Sequence, residues 1–291
     1  LPGEFYQLDL EMSFVTQEEV WETMEPVLAG VFEAFAEGRH VTPAGSFPRI
    51  AHAKAMLDYG SDKPDLRNPL IIRDVTSEFT SSGFGLFEKI VGTGGVVRLI
   101  PAPNTAEKSR KFFDEMNDWA RSEGHAGLGY VTRKAGVFGG PIAKNHGEDK
   151  MAALFDSLGL GPDDGAFFAA GKEEQAAKLA GAARTRVGDQ LGLIDKDRFE
   201  LCWIVDFPFY EWAEENKKVD FSHNPFSMPK GGREALEAAE KAGRDALLAL
   251  KANQYDIVCN GYEIPSGSVR NHVPETMVKA FEITGLGRDE V

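Results

Sequence analysis

Cysteine is scarce in this sequence: 291 residues contain two, Cys202 and Cys259. Both stand in apolar runs that read as strands, which excludes a disulfide-built scaffold and fits buried thiols in a reducing compartment, read here as the cytoplasm. Positive charge is short as well, with 32 Lys and Arg against 46 Asp and Glu and a formal charge of -14. That balance excludes nucleic-acid binding through a broad basic surface and leaves room only for a local contact. Long hydrophobic runs are missing too. None approaches the ~18 residues that cross a bilayer, and the opening residues do not read as a secretion signal. Between 71 and 188 there is no His/Cys metal spacing, and no Lys-Ser/Thr follows Gly92-Thr93-Gly94-Gly95, which therefore reads as a turn rather than a phosphate cradle.

What is present is ample material for a core, 42% hydrophobic and 10% aromatic, enough for more than one domain. The stretch Phe5 to Phe14 alternates with a period of two. Tyr6, Leu8, Leu10, Met12 and Phe14 fall on one face, expected against a core; Phe5, Gln7, Asp9, Glu11 and Ser13 fall on the other. That second face either meets water or floors a site. At ~3.3 Å per residue Phe5 and Asp9 stand about 13 Å apart on the same side, roughly the length of an extended aminoacyl adenylate. A ring at one end can stack on adenine, and a carboxylate at the other can receive an ammonium.

Thr16 and Glu19 form a capping-box pattern that opens a helix, with Val20, Met24, Val27, Leu28, Val31 and Phe35 as its packing stripe, Pro26 inside and Gly38 as a stop. Residues 38–70 are turn-rich, with a short helix near 51–58. From 71 to 188 the text changes to an α+β unit: strands are expected at 84–91, 95–101, 127–133 and 165–170, and helices at 105–122, 148–157 and 172–187. Residues 189–291 return to another strand-rich pattern, with a central strand from Leu201, a turn holding His223, a helix at about 233–251 and a hairpin over 255–272 turning at Pro265-Ser266-Gly267. Asp256, Glu263, Arg270 and His272 are many ionisable groups for so apolar a hairpin. They need partners, such as a Glu263–Arg270 ion pair, or a ligand.

Phe-x-Gln-x-Asp-x-Glu-x-Ser-Phe at 5–14, with Leu1-Pro2-Gly3-Glu4 before it, resembles the second half of motif 2 in class II aminoacyl-tRNA synthetases of the bacterial aspartyl type. The phrase Tyr59 to Arg67, Phe221-Ser222-His223-Asn224-Pro225-Phe226 and the stretch 255–272 are similar to the same family, while 71–188 resembles its inserted GAD domain, shared with a tRNA-dependent amidotransferase subunit. The resemblance implies an α+β fold with an antiparallel sheet flanked by helices, divided as core 1–70, insertion 71–188 and core 189–291. It implies ATP-dependent activation of L-aspartate and transfer to tRNA(Asp), with tRNA(Asn) left open, in a protein that is a homodimer when full length. The resemblance places Phe5 and Gln7 on ATP, and Asp9, His223 and Arg270 on aspartate. Asp256 and Glu263 would hold Mg2+, with Asp9, Arg270 and Glu263 as the catalytic set. Many members carry a second His where Asn224 stands. The family's remaining motif parts and anticodon-binding barrel would lie outside 1–291, so that the chain is expected to be inactive alone. A non-catalytic binding module and an amidotransferase-related protein are the alternatives; the first should have lost Asp9, Asp256, Glu263 and Arg270, and all four are present.

Overall fold

The computed structural model describes residue 4 and residues 6–287. They divide into two compact units, one from 1–49, 201–257 and 264–291, the other from 50–200 and 258–263. Helices and antiparallel strand pairs make the class α+β, as the sequence pattern implies. No helix among the described residues is long and apolar enough to cross a membrane.

In the first unit the helix Gln17–Phe35 begins with the expected capping box. The Thr16 amide donates to Glu19 Oε2 at 2.6 Å and the Glu19 amide to Thr16 Oγ1 at 3.3 Å, satisfying two donors that a helix start leaves open. The helix runs through Pro26. Its buried face is not the expected stripe. Gln17, Trp21, Glu25 and Ala29 are buried, whereas Val27, Val31 and Phe35 are 42%, 51% and 76% exposed. Rings from distant sequence set this rotation: Trp21 lies 5.5 Å from Trp203 and 5.9 Å from Tyr255 between centroids, and Trp203 Nε1 donates to Glu25 Oε1 at 2.8 Å. A buried indole N–H needs an acceptor, so Glu25 is turned inward with it.

Leu201–Val205 is buried along its whole length and is an interior strand of a four-stranded sheet, in the order Tyr262–Ser268, Gln254–Cys259, Leu201–Val205, Arg49–Ala51. Both cysteines are buried, and neither is in a disulfide. The expected single helix at 233–251 is two, Gly232–Ala242 and Arg244–Ala249, because Gly243 at φ 104° breaks the run.

The second unit holds a five-stranded antiparallel sheet in the order Arg73–Asp74, Val96–Ala102, Gly165–Gly171, Gly129–Lys134, Val137–Gly139. Alternate residues of its middle strands serve opposite cores. Ile100, Tyr130 and Phe167 pack with Phe113, Met116, Ala183 and Val187 of helices Arg110–Ser122 and Glu173–Gln190. Leu99, Val131 and Phe168 pack on the other face with Phe87, Ile142, Met151 and Phe155. A sheet covered on both sides explains why these strands read as continuous apolar runs.

The expected strand at 84–91 is a helix, Gly85–Gly92. Phe84, Phe87, Ile90 and Val91 face the core while Leu86 is exposed, a spacing of three and four that belongs to a helix and not to a strand. Gly92 to Gly95 form the expected turn into Val96, with Gly94 at φ 84°.

Arg184, from the Glu173–Gln190 helix, is buried and donates to three carbonyls: Leu70 at 2.6 Å, Asn68 at 2.6 Å and Asp65 at 3.0 Å. Its guanidinium sits 4.9 Å from the Tyr59 ring centroid, and burial pulls its pKa down to about 10. Beside it Gly60 and Gly181 touch through their backbones; a Cβ on Gly60 would lie 2.4 Å from the Ala177 carbonyl oxygen, and one on Gly181 would lie 2.5 Å from that of Gly60.

Candidate active site

Residues 6–14 do not form a strand, and their side chains are exposed, Tyr6 and Phe14 fully so. A strand is held by hydrogen bonds to a neighbour, and among the described residues no strand pairs with this one. The face expected against a core, Tyr6, Leu8, Leu10, Met12 and Phe14, is therefore not covered here. The two-residue period survives locally. Gln7 Nε2 donates to Asp9 Oδ1 at 2.5 Å, the contact that same-side residues two apart can make in an extended chain. The run ends at Phe14, whose φ is 61°. Phe5 lies outside the described residues.

The hairpin carrying the acidic residues turns earlier than expected. Strands Gln254–Cys259 and Tyr262–Ser268 are joined by Asn260 and Gly261, at φ 53° and 88°. Positive φ at both central residues is what an Asn-Gly hairpin turn requires. Pro265 and Gly267 then fall inside a strand at the end of the sheet, where a missing N–H is tolerated. Gly267 has its own reason: a Cβ there would stand 2.6 Å from Tyr255 Cε2.

This register decides where the ionisable groups sit. Asp256 is 4% exposed, in a strand whose residues are all buried. Glu263 does not meet Arg270 as a structural pair; its Oε2 lies 3.3 Å from Lys63 Nζ. Burial opposes the charge on Lys63, but the Asp62 and Glu263 carboxylates outweigh it and hold its pKa above the usual range. Lys63 belongs to the Tyr59–Arg67 phrase and was given no role by its sequence, since nothing in a turn-rich loop announces a partner two hundred residues away. Asp256 belongs to the first compact unit and Glu263 to the second.

Arg270 follows the edge strand directly rather than a tight turn, and its side chain is exposed. Its backbone bridges Ser227, and the Asn271 amide donates to the Phe226 carbonyl at 2.7 Å. The turn carrying His223 is thereby laid alongside the Arg270 segment. Asn224 shapes that turn: its Oδ1 accepts from the Phe226 amide at 3.0 Å and from the Ser227 amide and hydroxyl at 3.1 Å. The exposed His223 ring stands 5.0 Å from that of Phe207, and its Nδ1 is 3.1 Å from Ser222 Oγ. Below them the Tyr255 hydroxyl is raised in pKa by burial, with the Arg270 charge acting in the opposite sense.

These groups can accept a cation at Asp9 and an anion at Arg270. For a metal, Asp256 and Glu263 offer hard carboxylate oxygens, and Mg2+ commonly takes one or two of these together with substrate phosphates. Among the described residues no group of three or more His, Cys, Asp or Glu forms a complete protein cage.

The family model described as tRNA synthetases class II (D, K and N) matches residues 1–291. The chain belongs to that family. Among similar proteins, the aspartate–tRNA(Asp/Asn) ligase of Novosphingobium aromaticivorans is 81% identical over 291 residues, 100% of this chain and 48% of that protein. Those of Erythrobacter litoralis and Zymomonas mobilis are 70% and 65% identical, over 99% and 98% of this chain and 47% and 46% of their own lengths. The chain thus spans about half the length of the curated relatives it matches. The match to this family includes 71–188 and both flanks.

Proposed function

We propose that this chain supplies much of the aspartate-activating centre of a ligase that joins aspartate to tRNA(Asp) and also to tRNA(Asn). The observation that carries the reading is the 81% identity to an aspartate–tRNA(Asp/Asn) ligase over every residue of the chain. The exposed Arg270, whose backbone pairs with the turn that carries His223, supports it.

Activation joins the aspartate carboxylate to the α-phosphate of ATP and expels pyrophosphate. Both reactants are anionic, so the protein's task is positioning and charge neutralisation. Phe5 stacks on adenine. Gln7 orients Asp9, which receives the substrate ammonium. Arg270 takes the side-chain carboxylate with two parallel N–H donors, a geometry that Lys lacks. Asparagine is rejected because its amide would leave that guanidinium facing a neutral group with one more donor. His223 closes the aspartate pocket. Asp256 and Glu263 would hold Mg2+, which would offset phosphate charge, and Lys63 beside Glu263 would add a second positive charge.

Residues 71–188 are, in this reading, an inserted accessory domain, supported by a sheet whose five strands all lie between Arg73 and Gly171. Catalysis in the cytoplasm by a homodimer completes the proposal. The deciding test is aspartate-dependent ATP–pyrophosphate exchange by the full-length protein, followed by charging of both tRNAs. Exchange with another amino acid in place of aspartate would overturn the assignment, and charging of tRNA(Asp) alone would overturn the dual specificity.

A further inference from the structure

The second unit carries a cavity of about 550 Å³ whose lining includes Lys108, Arg110, Lys134 and Lys144 and no acidic residue. In a chain with a formal charge of -14, four cations around one hollow run against the composition. Two of them are partly offset from outside the lining. Lys134 Nζ lies 2.9 Å from Glu107 Oε1, and Arg110 Nε lies 3.3 Å from Asp114 Oδ2. Lys108 stands 5.6 Å from the Phe112 ring centroid. Among the described residues no ion pair joins Lys108 or Lys144 to a carboxylate. The hollow keeps an excess of positive charge.

A helix start reinforces it. The helix Arg110–Ser122 opens at this cavity with no acidic residue in its first turn and no side-chain cap on its amides, and Lys108, Arg110 and Lys111 crowd its positive end. That arrangement destabilises a helix by itself. The helices beginning at Gln17, Glu148 and Glu173 each place two acidic residues in their first turn, whereas His52–Tyr59 and Pro141–His146 share its lack of them; what sets the Arg110 helix apart is the crowd of cations at its start. Local rules are broken in this way where a ligand supplies the missing charge. Thr132 adds a hydroxyl to the wall, while the Tyr130 hydroxyl donates to Asp114 Oδ1 at 3.2 Å and Asn145 Nδ2 to the Pro141 carbonyl at 2.7 Å; the volume is that of a small-molecule site.

We infer that this cavity binds a phosphate-bearing ligand, held by Lys108, Arg110, Lys134 and Lys144, with the Arg110 and Lys111 amides at the helix start beside them. The shared chemistry is a compact polyanion, and it has two sources: a free phosphate compound, or the terminal phosphate of an RNA strand. No residue of the proposed activation chemistry takes part in it.

The test is calorimetric titration of the 291-residue chain at low ionic strength with inorganic pyrophosphate, with a 5′-phosphorylated trinucleotide RNA and with the same RNA lacking the phosphate. Each is repeated on the double variant Lys108→Ala, Lys144→Ala and on Lys241→Ala as a distant control. Lys108 and Lys144 are exposed, so their replacement leaves the fold intact. The expected result is that pyrophosphate binds and that the double variant weakens it about tenfold or more, a loss of ~1.4 kcal/mol or more, with Lys241→Ala unchanged. Phosphorylated RNA behaving alike, with the unphosphorylated strand silent, assigns an RNA end; pyrophosphate alone assigns a free compound. Absence of binding by pyrophosphate and by the phosphorylated RNA, or affinities that the double variant leaves unchanged, would overturn the inference.

Discussion

The two arginines Arg184 and Arg270 stand for two ways of using a sequence. In the 50–200 unit Arg184 is buried, and its hydrogen bonds go to the chain's own carbonyls; in the other unit Arg270 is exposed beyond the end of an edge strand, and among the described residues its pairing is through its backbone. The surrounding regions differ in the same sense. One covers both faces of its sheet from its own helices, while the other leaves Tyr6, Leu8, Leu10, Met12, Phe14, Val31 and Phe35 in water. The 50–200 unit also exposes Leu57, Leu86 and Val137, but singly, so what separates the two regions is the run from Tyr6 to Phe14, in which alternate apolar residues go uncovered one after another.

The strongest way to break this contrast is to remove Arg184. Arg184→Met would strand two buried carbonyls and one half-buried one, each buried one costing on the order of 1–3 kcal/mol, so a loss of about 3–5 kcal/mol is expected in urea denaturation. Wild-type stability would show that water replaces the guanidinium, and that the region is less closed than its contacts indicate.

Arg270→Lys sharpens the other side. In the full-length protein the charge is kept and the two-pronged geometry lost, a change of roughly 1.5–3 kcal/mol, or about 10- to 150-fold in activation efficiency. The loss should appear as weaker aspartate binding with ATP binding little changed. Equal loss of both substrates would make Arg270 a structural residue like Arg184.

Gly267→Ala tests the packed floor beneath Arg270. A methyl group 2.6 Å from Tyr255 Cε2 must displace the ring, at about 1–3 kcal/mol, read as a lowered unfolding midpoint of the 291-residue chain. No change would mean that Tyr255 is free to move.

The smallest expected effect concerns His146. It is buried against Phe79 in the 50–200 unit, and burial, reinforced by Lys150 and opposed by Glu78, lowers its pKa. A base whose folded pKa lies below 6.5 gives stability that is fully present above 6.5 and is lost as pH falls through the window beneath it. The slope cannot exceed ~1.4 kcal/mol per pH unit for one proton. His146→Leu should flatten the fall in stability between about pH 6.5 and 5; an unchanged profile would assign it to other groups.

How much of this was legible follows from where the determining contacts lie. The start at Thr16, the strands near Val96, Gly129 and Gly165 and the interior strand from Leu201 depend on neighbours in sequence and were read correctly. The buried face of the Gln17–Phe35 helix was not, because Trp203 and Tyr255 set it from far away. The hairpin misplaced its turn for a different reason: Pro265 and Gly267 punctuate strongly, yet they serve an edge and a ring, while Asn260-Gly261 makes the bend. At the site, residue types were legible and partners were not. Lys63 against Glu263 is a contact between remote segments that no local pattern announces.

The meeting of Gly60 and Gly181 bears on how such a chain is assembled over generations. Two backbones that already touch form the neck of a closed purse, so the cloth gathered beyond them can lengthen or shrink without any thread having to span a gap.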